Sequence, residues 1–500
     1  MINFLKKKLA LIFAKREVAK SEHFKHNAAS DQQKLLLSLV RNAEKTLFGR
    51  AYGFSEIHSV EDFQNRVPIT DYEALSPFIK KLKHGDRNIL WTDVPEYFAK
   101  TSGTTSGSKY IPISKEGIND QINAARLALL HYIAQKGDAN FITGKMIFLQ
   151  GSPQLSEVGG IKTGRLSGIV AHHIPKYLQK NRLPKYETNC IEDWETKVDQ
   201  IVKETETENM TLISGIPPWL IMYFEKLIAK NGKKIKELFP NLQIIVTGGV
   251  NYKPYREKME ELLGGKVDII QTFPASEGFF AFQDDYTKDG LLLLTNHGIF
   301  YEFIALEDYG NPDAKRLTIE EIELDKDYAL IISTNSGLWA YSIGDVVRFI
   351  SKEPYKILVS GRTKHYTSAF GEHIIAFEAE EALKATVMAF PAQITEFHLA
   401  PQVNPASSLP YHEWFIEFEK EPESLDAFKA QLDREMRKRN PYYDDLISGS
   451  VLQPLVITRL KKNAFNDYAK AEGKLGGQNK IPRLANDRKI ADKLSSYVLK

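Results

Sequence analysis

The sequence predicts an α/β protein in two parts: a large multi-sheet domain over residues 1–361 and a small α+β domain over 362–500. Two observations predict it. Between residues 96 and 360, strand-like and helix-like runs alternate, the pattern of a largely buried sheet covered by helices. Near Gly361 the pattern changes to a shorter order, roughly βαββαβ, with a mobile boundary expected around Gly361 to Lys364. A chain of 500 residues also exceeds one ordinary core.

Taken in order, residues 1–50 read as two helices, with apolar positions at Leu35, Leu36, Leu39, Val40 and Leu47. Lys6, Lys7 and Lys8 precede a six-residue apolar run, Leu9 to Ala14, which Lys15-Arg16 closes. The run is short for an export signal and far short of a membrane span, so a retained amphipathic helix is expected. Strand candidates follow at Ile244–Val246, Val267–Ile270, Leu291–Leu294, Ile299–Leu306, Leu330–Ile332 and Val346–Ile350. A helix from Pro254 to Leu263 fits between the first two, since proline suits a first helical turn. The last part reads as a helix at Ile375–Val387, an alternating strand at Tyr411–Phe418, a helix at Leu425–Lys438 and a strand at Val451–Leu460.

Composition narrows the function. Lys+Arg 66 against Asp+Glu 64 leaves +2, so no global field draws the chain to nucleic acid. Cys190 is the only cysteine, which excludes a disulfide framework and a multi-cysteine zinc site and fits a cytoplasmic setting. His172-His173 invites a metal reading. Adjacent side chains diverge on a strand or a helix, so a structural or pocket-lining role is the plainer one.

The densest chemical signal is Thr101-Ser102-Gly103-Thr104-Thr105-Ser106-Gly107-Ser108-Lys109. Nine consecutive residues are hydroxyl, glycine or lysine. Glycines let the backbone turn N–H groups toward an anion, hydroxyls donate hydrogen bonds, and the lysine adds charge. The glycine spacing is not that of a Walker loop. By composition alone a flexible Ser/Gly surface loop would serve equally.

This loop resembles the phosphate loop of acyl-adenylating enzymes, which include acyl-CoA synthetases, peptide-synthetase adenylation domains and luciferases. Thr247-Gly-Gly-Val250, Phe273-Pro-Ala-Ser-Glu277, Tyr341-Ser-Ile-Gly-Asp345 and Ser360-Gly-Arg-Thr-Lys364 with Gly371-Glu-His-Ile374 resemble further motifs of that superfamily, in its order. Ser276 to Phe282, Phe300 to Ile304, Ser336 to Tyr341, Gln478-Asn-Lys-Ile-Pro-Arg483 and Val67-Pro-Ile-Thr-Asp-Tyr72 narrow the resemblance to the Gretchen Hagen auxin-responsive family, whose plant members are acyl-acid amido synthetases. Two family arginines are replaced, by Ser342 and Ala340. A microbial relative is expected, whose substrate need not be a hormone.

The resemblance implies a large adenylate-forming domain, a mobile small domain and a set of roles. ATP would be held by Thr101 to Gly107 and Lys109, by Gly248, Gly249 and Val250 beside adenine, by Thr272, by Phe273 stacked on the base, by Ser276, by Asp345 at the ribose and by Arg362 at the ribose or a phosphate. Glu277 would hold Mg²⁺, which accepts one or two carboxylates together with phosphate oxygens. Lys480 would be the catalytic lysine, with Lys474 its rival, and Lys364 the hinge. Each has a plainer reading: a surface ion pair for Glu277, a core ring for Phe273, a Gly-Asp turn for Asp345 and a solvated side chain for Lys480. The implied reaction makes an acyl adenylate and pyrophosphate, then an amide from an amino acid or other amine. The alternatives are thioester formation with coenzyme A through the same adenylate and a binding protein without turnover. A small carboxylic acid and an amine are the expected partners, with no nucleic acid, no stable membrane insertion, and a monomer or weak dimer. Phe279, Trp339 and residues 165–175 are candidates for the acyl pocket.

Overall fold

The computed structural model describes residues 2–101, 109–174, 179–191, 194–249, 252, 255–311, 313–363, 366–372, 374–472 and 481–499. Its centre is an 11-stranded mixed sheet. Across the sheet run the strands Ile299–Ala305, Asp327–Thr334, Tyr341–Lys352, Tyr355–Arg362, Leu291–Leu293, Gly278–Phe282, Asp268–Ala275, Ile244–Gly248, Met210–Ser214, Lys145–Phe148 and Arg182–Leu183. The last five are mutually parallel and the rest antiparallel. The strands Gly278–Phe282, Leu291–Leu293, Ile299–Ala305 and Asp327–Thr334 are buried along nearly their whole length, which is why they read as continuous apolar runs. A four-stranded sheet carries the Tyr97–Thr101 and Lys109–Ile113 hairpin.

The N-terminal segment is helical over Ile2–Ala43, broken at Asn27, followed by Leu47–Ala51. Leu36, Leu39 and Val40 are buried as expected, whereas Leu47 is exposed. The helix after the Ile244 strand is described over Arg256–Leu263, and Pro254 lies outside the described residues. The Asp268–Ala275 strand runs five residues beyond the predicted Ile270, through Thr272, Phe273 and Pro274.

The C-terminal part begins with a small hairpin, Tyr366–Thr367 against Ile374–Ile375. The helix Ala376–Ala389, the strands Gln393–Gln402 and Tyr411–Lys420, the helices Leu425–Arg439 and Pro441–Ser448, and the strand Val456–Leu460 follow. The βαββαβ order therefore holds, with the short helix Pro441–Ser448 inserted, a last strand five residues shorter at its start than predicted, and the helices Ala464–Ala471 and Lys489–Leu494 after it. One apolar cluster spans both parts, from Phe224, Met259 and Tyr255 to Phe370, Ile374 and Trp414.

Candidate active site

Strand register assembles the site. Thr101 pairs with Lys109, so these two positions close the base of the predicted phosphate loop. Ser102, Gly103, Thr104, Thr105, Ser106 and Gly107 lie outside the described residues. Lys109 sits over the Tyr72 ring at 5.6 Å, and the Tyr72 hydroxyl accepts the Tyr110 N–H at 2.9 Å. Burial raises the Tyr72 pKa, so this hydroxyl stays protonated.

Gly248, the last residue of its strand, pairs with Thr272 in the parallel neighbour, which runs three residues further; ligands of open α/β sheets bind at this C-terminal edge. A Cβ on Gly248 would lie 2.6 Å from the Thr272 carbonyl oxygen, so only glycine fits. Gly249 takes φ +80°, a left-handed turn that suits glycine. Thr272 Oγ1 donates to the Thr247 carbonyl at 3.1 Å and pins the two strand ends together. Val250 lies outside the described residues.

Ser276 and Glu277 form the two-residue connection of a hairpin in which Ala275 pairs with Gly278. The Glu277 carboxylate thus stands, partly exposed, on a rigid turn immediately beyond the Thr272 strand. A single carboxylate beside hydroxyls and a glycine crest is a donor set that suits Mg²⁺ shared with phosphate oxygens. Phe273 is placed differently from the adenine-stacking expectation. It is 8% exposed and packs against Phe280, with ring centroids 5.0 Å apart, because it points to the core face of its strand.

Asp345 and Arg362 are seventeen residues apart in sequence, yet they are direct cross-strand partners. Such pairs hold Cα atoms ~5 Å apart. Asp345 is 6% exposed and follows Gly344, whose φ is +84°. Lys364, Lys474 and Lys480 lie outside the described residues.

The sequence matches models of the GH3 family N-terminal domain over residues 17–187, the central domain over 292–362 and the C-terminal domain over 377–489. The chain belongs to the GH3 family. Indole-3-acetic acid-amido synthetase GH3.3 of Arabidopsis thaliana is 20% identical, covering 96% of this chain and 93% of that protein. Jasmonoyl–L-amino acid synthetase JAR4 of Nicotiana attenuata is 21% identical, covering 64% of this chain and 67% of that one. Among solved structures, AtGH3.15 acyl acid amido synthetase in complex with 2,4-DB has a TM-score of 0.62 at 16% identity, covering 97% of this chain and 96% of that chain. A 2-hydroxyisobutyryl-CoA ligase in complex with 2-HIB-AMP and CoA has a TM-score of 0.58 at 14% identity, covering 94% and 93%. The fold is therefore the one these GH3 and ligase structures share.

Where the GH3 resemblance places arginines, this chain is built differently. Ala340 is fully buried at φ +42°, and its N–H bonds to Ser333 Oγ at 2.8 Å. No long side chain could stand there without displacing the core. Ser342 shares a 2.8 Å hydrogen bond with the Tyr309 hydroxyl. Thr70 ties down the same strand entry: its N–H donates to the Ala340 carbonyl, its hydroxyl to the Trp339 carbonyl, and its carbonyl accepts the Ser342 N–H. The segment Val67–Tyr72 is thus a strap joining the phosphate hairpin to the Tyr341 strand. The motif was visible in the sequence, but its structural role was not.

The acyl-pocket candidates are corrected in part. Trp339 is 0% exposed, donates to the Leu90 carbonyl at 2.9 Å and packs among Phe48, Phe54, Phe63 and Trp91. It is a core residue. Phe279 is likewise buried, in a cluster with Phe24 and Phe282. His172 Nε2 meets the Pro153 carbonyl at 2.7 Å and His173 Nε2 the Tyr97 hydroxyl at 3.0 Å, so the two rings have separate partners.

The C-terminal part has two further contacts near the site. Arg483 is held by Glu396 and Glu380, and its carbonyl accepts the Leu399 N–H at 2.7 Å, so the chain just past Lys480 is anchored on a strand edge. Arg165 pairs with Asp445 and lies 4.8 Å from the centre of the Tyr442 ring. The Tyr442 hydroxyl reaches the carbonyl of Lys100, the residue before Thr101.

Proposed function

We propose that this chain is an ATP-dependent acyl-acid amido synthetase. The observation that carries the reading is that one strand, Asp268–Ala275, pairs with the Gly248 end of its parallel neighbour and carries the Ser276–Glu277 turn at its own C-terminal end. A carboxylate oxygen of the acid attacks the α-phosphorus of ATP, and pyrophosphate leaves. An amine then attacks the activated carbonyl, loses a proton, and AMP leaves with the bonding electrons. A free carboxylate resists nucleophiles, so the first step supplies the leaving group the second needs.

Thr101 to Gly107 and Lys109 cradle the phosphates, Gly248, Gly249 and Val250 border the base, and Asp345 with Arg362 takes the ribose hydroxyls. Glu277 holds Mg²⁺, which neutralises phosphate charge when bound. Lys480 approaches the α-phosphate and acyl oxygens and offsets negative charge developing at phosphorus. The small domain, 362–500, turns about Lys364 between the half-reactions and admits the amine. The cytoplasmic setting rests on composition. The acid of so distant a relative need not be a plant hormone.

The test is pyrophosphate release with a panel of acids, followed by amino acids or coenzyme A. Acid-dependent release and amide formation with an amino acid support the reading. Thioester formation with coenzyme A in place of an amide overturns it in favour of a ligase, and no release with any acid leaves a binding protein. Lys480→Ala should slow adenylate formation ~10²–10³-fold with ATP affinity little changed, since its contact strengthens as charge develops. Normal adenylate formation in that variant, with loss in Lys474→Ala, would transfer the role to Lys474.

A further inference from the structure

The first turns of the Ile2–Ala43 helix have two apolar faces, and the protein covers only one. Ala10, Leu11, Ala14 and Val18 face inward onto the cluster around Leu130, Tyr132 and Ile133. On the other side Leu5, Leu9, Ile12 and Phe13 are 58%, 57%, 65% and 45% exposed. At 100° per residue, Leu5, Leu9, Ile12 and Phe13 fall within about one quarter of the helix circumference. Contiguous exposed apolar surface of this kind marks a binding face. The GH3 match begins at residue 17, so the stripe precedes the matched family domain.

Charge selects the occupant. Lys6, Lys8, Lys15, Arg16 and Lys20 edge or extend the stripe, and the one acid among them, Glu17, pairs with Lys20 at 2.6 Å. Lys8 already folds its ammonium over the Phe4 ring at 4.6 Å, the posture of a cation lying along apolar surface. Lys7 turns inward to a cleft of about 600 Å³ that Lys236 and Lys266 also line, so this end of the molecule is basic although the whole chain is nearly neutral. A second copy placed on the stripe would bring these cations together without acids to meet them. We propose that the Leu5–Phe13 stripe docks on an anionic lipid surface, with Leu5, Leu9, Ile12 and Phe13 at the headgroup boundary and the lysines on lipid phosphates. No helix among the described residues is long and apolar enough to cross a membrane, so this is surface attachment.

The test is co-sedimentation of the full chain with phosphatidylcholine vesicles, with and without phosphatidylglycerol, at low and high salt. Wild-type protein should bind the anionic vesicles at least ~10-fold better than the neutral ones, and high salt should weaken the binding. Leu9→Glu with Ile12→Glu should abolish binding while ATP–pyrophosphate exchange is unchanged. Both positions are exposed, so the fold should tolerate them. Lys6→Glu with Lys15→Glu should remove the preference for anionic lipid. Failure of the wild type to bind, equal binding to neutral vesicles, or binding that survives Leu9→Glu with Ile12→Glu overturns the proposal. A dimer in solution that this double variant dissociates assigns the stripe to a second copy and overturns it as well.

Discussion

Glu277 owes its place to the shortness of its turn. Only two residues join the paired positions Ala275 and Gly278, so the carboxylate is held at the C-terminal end of the strand that pairs with Gly248. Glu277→Ala should therefore weaken magnesium-dependent ATP use by ~2–3 kcal/mol in transition-state stabilisation, the scale of one lost charge-stabilising group. Unchanged pyrophosphate release in the folded variant would take Glu277 out of the site. A second residue-scale effect sits under the N-terminal helix. Burial, aided by Lys25, lowers the His131 pKa to about 4, with Asp284, Glu22 and Lys356 also acting on it. Its Nε2 meets Ser21 Oγ at 3.1 Å. The folded state keeps this ring neutral, whereas the unfolded chain takes up a proton near pH 6.5. Stability from this group is full above pH 6.5 and falls as pH drops toward 4, by about 1.4 kcal/mol per unit. His131→Gln should flatten the pH dependence of the denaturation midpoint across that window. Parallel curves for the two chains would show that His131 is not held neutral.

At the level of elements, local chemistry decided what could be read. The Thr101–Lys109 and Thr247–Val250 motifs stood out in the sequence because hydroxyls and glycines cluster there, the composition that lets backbone approach an anion. The full Asp268–Ala275 strand was not, because Pro274 cannot donate to a ladder and reads as a stop. The register irregularity between Phe279 and Ala281 lies opposite this stretch. The Gln393–Gln402 strand was missed because its burial alternates at first and then becomes continuous, so no single period marks it. The Val67–Tyr72 strap is a tertiary fact, since Thr70 and its Trp339 partner are 269 residues apart. That strap carries its own prediction. Tyr72→Phe keeps a ring beside Lys109 and removes only the acceptor for the Tyr110 N–H. Leaving that half-buried donor unpaired costs ~1 kcal/mol at the lower end of the usual range. It should loosen the loop base and raise KM for ATP roughly fivefold with kcat little changed. An unaltered KM would mean that the strap does not position the loop.

For the whole molecule, the proposed turn of the small part has to be compatible with an apolar cluster that both parts share. The contact at the edge of the phosphate hairpin is polar: Arg165 with Asp445, Arg165 over Tyr442, and Tyr442 on the Lys100 carbonyl. Arg165 and Asp445 are both partly solvated, at 35% and 41% side-chain exposure, so their pairing contributes no more than ~1 kcal/mol. The cation–ring contact adds ~0.5–1 kcal/mol. A latch of that strength biases one orientation without locking it, which a two-step enzyme requires. It also acts one residue before Thr101, where the Thr101–Lys109 pair closes the base of the proposed phosphate loop. Tyr442→Ala with Asp445→Ala should therefore shift the balance of domain orientations by about fivefold to tenfold, the equivalent of ~1–1.4 kcal/mol. ATP–pyrophosphate exchange and amide yield, measured on one preparation, should change by different factors, their ratio moving about fivefold or more. Equal loss of both would point to damaged folding. An unmoved ratio in an active variant would show that this contact does not govern the passage from adenylate to amide.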